Sequence, residues 1–246
     1  MDALEQMDPE EFLTQFMECL KNLMQGTKGG QSIAHLFEGV MSNELIAQND
    51  ENPLSREREE SFLTIGLPIK NKKTMDQGLS TLIESETLEG ENAYFWDEIG
   101  QKCNTLKLTC LKRLPNHLIF VLKRFELDYN TMQREKINDY FEFPNRINLE
   151  PYTQQGLKKA RQKNEVPYAD KLDLDELPPE YFDYKLTGII IHEGSLESGH
   201  YYSLIQNRAT GSTVPEDQSW LKFDDKIVSA YNPKDIPSDA FGADEK

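Results

Sequence analysis

Two features of this chain could do chemistry together. One is His200, which directly follows Ser198-Gly199; the other is the acidic pair Asp224-Asp225, at the end of the next strand-like run. A histidine at the mouth of a strand with a carboxylate on the neighbouring strand supplies the base and orienter of a nucleophile–base–orienter triad. Gly199 is expected to let the backbone turn tightly before His200, holding the ring at the strand entrance. Asp224 would fix the imidazole tautomer and steady the imidazolium, provided the intervening segment returns as a hairpin. In a regular strand Asp225 faces the opposite way, so only one of the pair can serve without a bulge. An isolated histidine and acidic pair are more often a core or surface residue and a turn. The specific phrase SGHYYSLI followed by WLKFDD weighs against that plainer reading.

Sequence pattern suggests which elements position these groups. Residues 5–25 read as a helix with Asp8 as N-cap, Pro9 in the first turn, and Phe12, Phe16, Leu20 and Leu23 at helical spacing. Gly26 and Gly29-Gly30 are expected to end it, and Ser32–Phe37 to form a second short helix. ELIAQ and SFLTIGLPI read as strands, with Asn49–Glu60 a solvated loop between them. Thr74–Glu84 reads as a helix, and residues 88–94 as a turn leading into a strand. Leu106–Leu111 and His117–Phe125 read as strands, the nearly all-apolar HLIFVLKRF lying centrally in the sheet. Lys123-Arg124 at its end is expected to face solvent. Glu126–Arg134 is expected as a polar loop, Lys136–Phe143 as a strand, and residues 153–180 as a charged surface insertion. Tyr184–His192, His200–Gln206 and Ser219–Asp224 are the last strands, and the tail after Asn232 holds about one helical turn. The layout is α+β, helices first and an antiparallel sheet after.

Composition narrows the function classes. The chain has 246 residues and a formal charge of −16, which disfavours nucleic acid and anionic membrane as partners. No apolar run approaches the ~20 residues of a membrane span, and the acidic start MDALEQMDPEEF has no targeting character. Three cysteines, Cys19, Cys103 and Cys110, are too few for a disulfide framework, which points to the cytoplasm or nucleus.

GIIIHEGSLESGHYYSLI followed by WLKFDDKIVS resembles the C-terminal box of the ubiquitin-specific protease family of deubiquitinases. RLPNHLIFVLKRFELD, KINDYFEFPNRINLEPY, QMDPEEFLTQFMECL, LFEGVMSNEL and EESFLTIGLPI are similar to further family segments, in the family's order, and together span nearly the whole chain. The resemblance implies a papain-like cysteine-peptidase fold with a helical thumb, β fingers and an antiparallel β palm. It divides the chain into a thumb remainder (1–38), fingers and palm strands (39–145), a palm edge with the charged insertion (146–183) and the His/Asp palm (184–246). By the same resemblance His200 is the general base and Asp224 its orienter. Asp225 adjoins the site and assists the oxyanion or the histidine loop. Asp8, Gly199 and Tyr201 contact the Arg/Gly-rich tail of ubiquitin, for which an acidic cleft is the fitting chemistry.

The family's nucleophile box, roughly Asn-x-x-Asn-Thr-Cys-Tyr-x-Asn, does not occur in these residues. The expectation is therefore a base and orienter whose sulfur stands outside the chain, through truncation or a split exon, leaving these residues inactive alone. The alternative is a non-catalytic ubiquitin-binding module. Cys19 is expected to be a buried helix residue, and Cys103 and Cys110 to lie away from the cleft. Where many family members carry two zinc-binding Cys-x-x-Cys pairs, this chain has Trp96 and Ile99, and the Ala47–Asp50 region. No zinc or other cofactor is expected; Phe95 and Trp96 would fill the space. His35, His117 and His192 read as structural, His192 helping to position the histidine loop.

Overall fold

A computed structural model describes residues 8–49, 54–128, 132–163, 176–195, 199–208 and 219–243. Helix α1 (Pro9–Leu23) starts where Asp8 accepts hydrogen bonds from the Glu10 and Glu11 amides at 2.8 and 3.2 Å, with Pro9 in its first turn. Its apolar stripe faces outward: Phe12, Phe16 and Leu23 are exposed, Phe12 stacks on Phe16, and only Met17 is buried. Helical spacing defines a face but not whether anything covers it. Cys19 is accordingly exposed rather than buried. Helix α2 (Lys28–Phe37) is longer than expected. Thr27 Oγ1 caps it by accepting from the Gly30 amide, which puts Gly29-Gly30 in its first turn instead of at the end of α1.

Four antiparallel strands follow in the order β2-β1-β7-β4: β1 (Gly39–Ala47), β2 (Ser55–Phe62), β4 (Glu86–Leu88) and β7 (Thr105–Arg113). Most of the run expected as a solvated loop is therefore strand β2, and residues 50–53 lie outside the described residues. Its charge misled because β2 is an edge strand, whose pairing backbone is compatible with exposed, charged side chains. Lys112 of β7 reaches Glu57 and Glu59 of β2 at 2.8 and 2.6 Å. The hairpin β5 (Tyr94–Trp96) and β6 (Gln101–Cys103) packs nearby, burying Trp96 but leaving Phe95 half exposed.

The main core is built from Ile65, Leu67 and Ile69 at β3 (Ile65–Pro68), Met75 and Leu79 of α3 (Met75–Leu82), Phe141, Leu149 and Phe182. Thr74 Oγ1 caps α3 through the Gln77 amide at 3.2 Å. The apolar run HLIFVLKRF is not central. Within it, β8 (Phe120–Lys123) pairs in parallel with β3 in a two-stranded sheet, and the final residue, Phe125, pairs with Lys136 in a separate hairpin. The run is apolar on both faces because Leu118, Phe120 and Leu122 pack on the core while Val121 lines a groove against α1.

Arg124 does not face solvent. Its guanidinium is largely buried and donates to the Ile137, Asp139 and Phe241 carbonyls at 3.2, 3.0 and 3.3 Å. Those bonds replace a ladder, and Lys136–Phe143 is accordingly not a strand beyond Lys136. The expected loop at Glu126–Arg134 is instead a hairpin, β9 (Phe125–Asp128) with β10 (Gln133–Lys136); residues 129–131 lie outside the described residues. The charged insertion starts as helix α4 (Gln154–Lys163), anchored by buried Thr153, Gln154 and Gln155. Residues 164–175 lie outside the described residues.

Strands β11 (Arg146–Asn148) and β12 (Asp183–Lys185) pair as an antiparallel step into the final sheet. That sheet is a meander of β13 (Gly188–Gly194), β14 (Gly199–Gln206), β15 (Trp220–Asp224) and β16 (Ile227–Tyr231). The expected strand Tyr184–His192 is split between β12 and β13, and β16 was not anticipated. Helix α5 (Ile236–Ala240) closes a second core of Tyr202, Leu204, Trp220 and Ile236 beneath the meander. Apart from the β3–β8 pair, the named strand pairs are antiparallel, as the α+β layout requires.

Candidate active site

The meander brings His200 and Asp224 together at one end. Leu204 pairs with Lys222 in the β14–β15 register, so strand alternation puts His200, Tyr202 and Leu204 on the same face as Trp220, Lys222 and Asp224. His200 Nε2 lies 2.7 Å from Asp224 Oδ1. An ionised carboxylate can only accept, so Nε2 carries the hydrogen and Nδ1 is left as the base nitrogen. This contact raises the His200 pKa above its ordinary 6.5, and the negative charges of Asp225, Asp224 and Glu193 add to it. Asp224 is lowered by its bonds to His200 and then Lys222.

Asp225 does not point away from His200 as strand alternation suggested. Strand β15 ends at Asp224, which pairs with Ile227, and Asp225 begins a two-residue turn at a φ of 50°. One ligand-type atom from each of His200, Asp224 and Asp225 lies within 4.8 Å of the others, and among the described residues no cysteine joins that group. Cys19 is on α1, Cys103 ends β6, and Cys110 is buried on β7 opposite Ser42.

Gly199 serves close packing, not a tight turn. It sits in β14 opposite Gly194, and a Cβ there would come within 2.0 Å of His192 Nε2 and 2.8 Å of the Glu193 carbonyl oxygen. The His192 ring packs on Tyr201 (centroids 4.6 Å apart) and on Phe125 (5.2 Å). Burial first, then the Lys136 charge, lowers its pKa, and its Nδ1 is buried without a hydrogen-bond partner among the described residues. Lys136 ties down this end of the hairpin, donating to the His192 and Gly194 carbonyls at 3.0 and 2.8 Å. No sequence signal marked Lys136 for this position.

Tyr201 donates its hydroxyl to Asp8 Oδ2 at 3.2 Å, joining the start of α1 to the strand that carries His200. Burial, followed by the Asp8 carboxylate, pushes the Tyr201 phenol up to about 12. Beside this contact a groove of about 670 Å³ runs between α1 and the β8–β9 segment. Asp8, Glu10 and Glu11 line one wall; Val121, Phe125 and Arg134 are among the residues facing them.

A meander that presents an imidazole–carboxylate pair at its rim, behind a finger-like sheet and two leading helices, is an α+β fold of the ubiquitin-specific-protease type. Consistent with that, the structure overlays on the SAGA Ubp8/Sgf11/Sus1/Sgf73 DUB module bound to ubiquitin aldehyde with a TM-score of 0.71, at 24% identity over 96% of this chain and 48% of that one. The family model for ubiquitin carboxyl-terminal hydrolase matches residues 1–241, and the chain belongs to that family. It is 35% identical over 98% of its length to the probable ubiquitin carboxyl-terminal hydrolase FAF of Drosophila melanogaster, of which it covers 8%. It is 32% identical over 92% of its length to the mouse ubiquitin carboxyl-terminal hydrolase 9X, covering 9% of it. The chain thus spans less than a tenth of the length of these curated relatives.

Proposed function

We propose that these residues form the larger part of a thiol-dependent deubiquitinase domain, which hydrolyses (iso)peptide bonds after the C-terminal glycine of ubiquitin. The observation that carries this reading is the 2.7 Å bond between His200 Nε2 and Asp224 Oδ1 in a chain of this family. A thiol presented to His200 Nδ1 gives up its proton, and the thiolate adds to the substrate carbonyl. The imidazolium then protonates the departing amine. His200 next takes a proton from water, which cleaves the thioester and releases the thiol. Asp224 holds the ring throughout, and Asp225 adds negative charge beside it. We place the sulfur outside these 246 residues, because none of the three cysteines joins the His200 group.

Ubiquitin is the proposed partner, its tail passing Asp8, Gly199 and Tyr201, and the acidic α1 wall of the groove suits an Arg-containing tail. The proposed division is a thumb remainder (1–38), fingers and palm strands (39–145), a palm edge (146–183) and the His/Asp palm (184–246). The three cysteines are free, which fits a cytoplasmic or nuclear location. No helix among the described residues is long and apolar enough to cross a membrane.

The test is hydrolysis of a ubiquitin C-terminal fluorogenic amide by the full-length protein; absence of turnover and of ubiquitin binding refutes the reading. Within it, Asp8→Asn separates two roles. The amide oxygen keeps the helix cap, while the charge offered to the tail is lost. The expected result is an unchanged melting temperature with a KM for ubiquitin raised several-fold and kcat little altered. Asp8→Ala is expected to cost about 1 kcal/mol of stability as well, through the lost cap.

A further inference from the structure

Lys222 has no part in the triad chemistry above, yet it holds the other half of the Asp224 carboxylate. Its Nζ lies 3.1 Å from Asp224 Oδ2, while Oδ1 is on His200. The same ammonium sits 3.9 Å from the centroid of the Tyr202 ring, and Tyr202 is part of the second core. Alternation puts all four side chains on one face of the β14–β15 pair.

Asp224 is the last residue of its strand, and its side chain is one-third exposed. A carboxylate there, held by one contact to a similarly exposed imidazole, would exchange readily with water. Lys222 supplies the second point of attachment, and the buried aromatic ring beneath supplies the platform that keeps the ammonium in place.

We infer that Lys222 is a positioning residue: seated on Tyr202, it fixes Asp224 Oδ2 so that Oδ1 remains on His200 Nε2. The inference rests on the reading of His200 as the base. Among the described residues, the charged groups that bear on the His200 ring are Asp224 from β15, Asp225 from the turn and Glu193 from β13; Lys222 and Tyr202 share its face and meet it through the Asp224 carboxylate. Lys222 acts on the ring in two opposite ways. As a bare positive charge it disfavours the imidazolium, and its loss would raise the His200 pKa. As an anchor for Asp224 it favours the imidazolium, and its loss would lower that pKa. The hydrogen bond to Asp224 is the largest influence on His200, whereas charge effects between exposed groups are screened by water and salt. The anchoring effect therefore wins.

The experiment is an NMR titration of the His200 ring in this chain, assigned by loss of its signal in His200→Gln. Wild type is expected to titrate above 6.5, and Asp224→Asn to move it back toward that value. Lys222→Met is expected to move it in the same direction by at least half as much, with a second neutral tautomer appearing in the ring nitrogen shifts. Lys222→Arg is expected to restore both readings, and Lys222→Gln repeats the test if the Met variant unfolds. An unmoved or raised His200 pKa in the Met or Gln variant, with Asp224→Asn still lowering it, overturns the role of Lys222 alone. An Asp224→Asn variant that leaves the pKa in place removes the dyad and the inference with it.

Discussion

Replacing His200 with Ala is expected to lower kcat/KM of the full-length protein for a ubiquitin C-terminal fluorogenic substrate by roughly 10²–10⁴-fold, the share a positioned general base supplies. Binding should survive. The ring is partly exposed at the sheet rim, its side chain 38% accessible, so its loss opens no core cavity. The defect should therefore fall on kcat, with ubiquitin affinity and melting temperature close to wild type. Steady-state kinetics with a parallel binding isotherm makes the separation. Turnover within a few-fold of wild type would show that Nδ1 of His200 takes no proton in the rate-limiting step.

Replacing Trp96 with Ala is expected to cost about 3–5 kcal/mol, the usual range for emptying a buried indole site. Trp96 is 1% exposed and donates from Nε1 to Thr105 Oγ1 at 2.9 Å. Thr105 is fully buried and passes its own hydrogen to the Cys103 carbonyl at 3.0 Å. Tyr94 meets the indole edge-on, and the Arg56 guanidinium sits 5.6 Å from its centroid. Emptying this position removes the packing and leaves the threonine oxygen without its donor. Trp96→Phe should recover most of the lost stability but not the hydrogen bond. Urea unfolding measures both variants; a Trp96→Ala loss under about 1 kcal/mol, the scale of a single net hydrogen bond, would mean the β5–β6 hairpin does not depend on this residue.

Particular residues show what the sequence could and could not disclose. Asp8 and Pro9 announced helix α1 because capping is local chemistry, settled within three residues. His200 and Asp224 were legible because a strand, a return and another strand place like-parity residues on one face. The charged strand β2 was not, since an edge strand takes its partners through the backbone and places few demands on side chains. Arg124 misled for the opposite reason: the carbonyls it satisfies come from distant residues, up to Phe241. Exposure of Phe12 and Phe16 lay outside what periodicity can report, because spacing describes one helix and burial depends on its neighbours. Asp225 was misjudged by one residue of strand length, since β15 stops at Asp224 and alternation stops with it. Lys222 was overlooked although the signal was present: it lies two residues before Asp224, on the same face of the strand.

The most direct test of a base and brace serving a sulfur from outside these residues is the fluorogenic ubiquitin assay run on the 246-residue chain beside the full-length protein. The prediction is that both bind ubiquitin, only the full-length protein turns it over, and its activity survives combined replacement of Cys19, Cys103 and Cys110 by Ala. Turnover by the 246-residue chain that disappears on Cys19→Ala would contradict it, placing the nucleophile on α1.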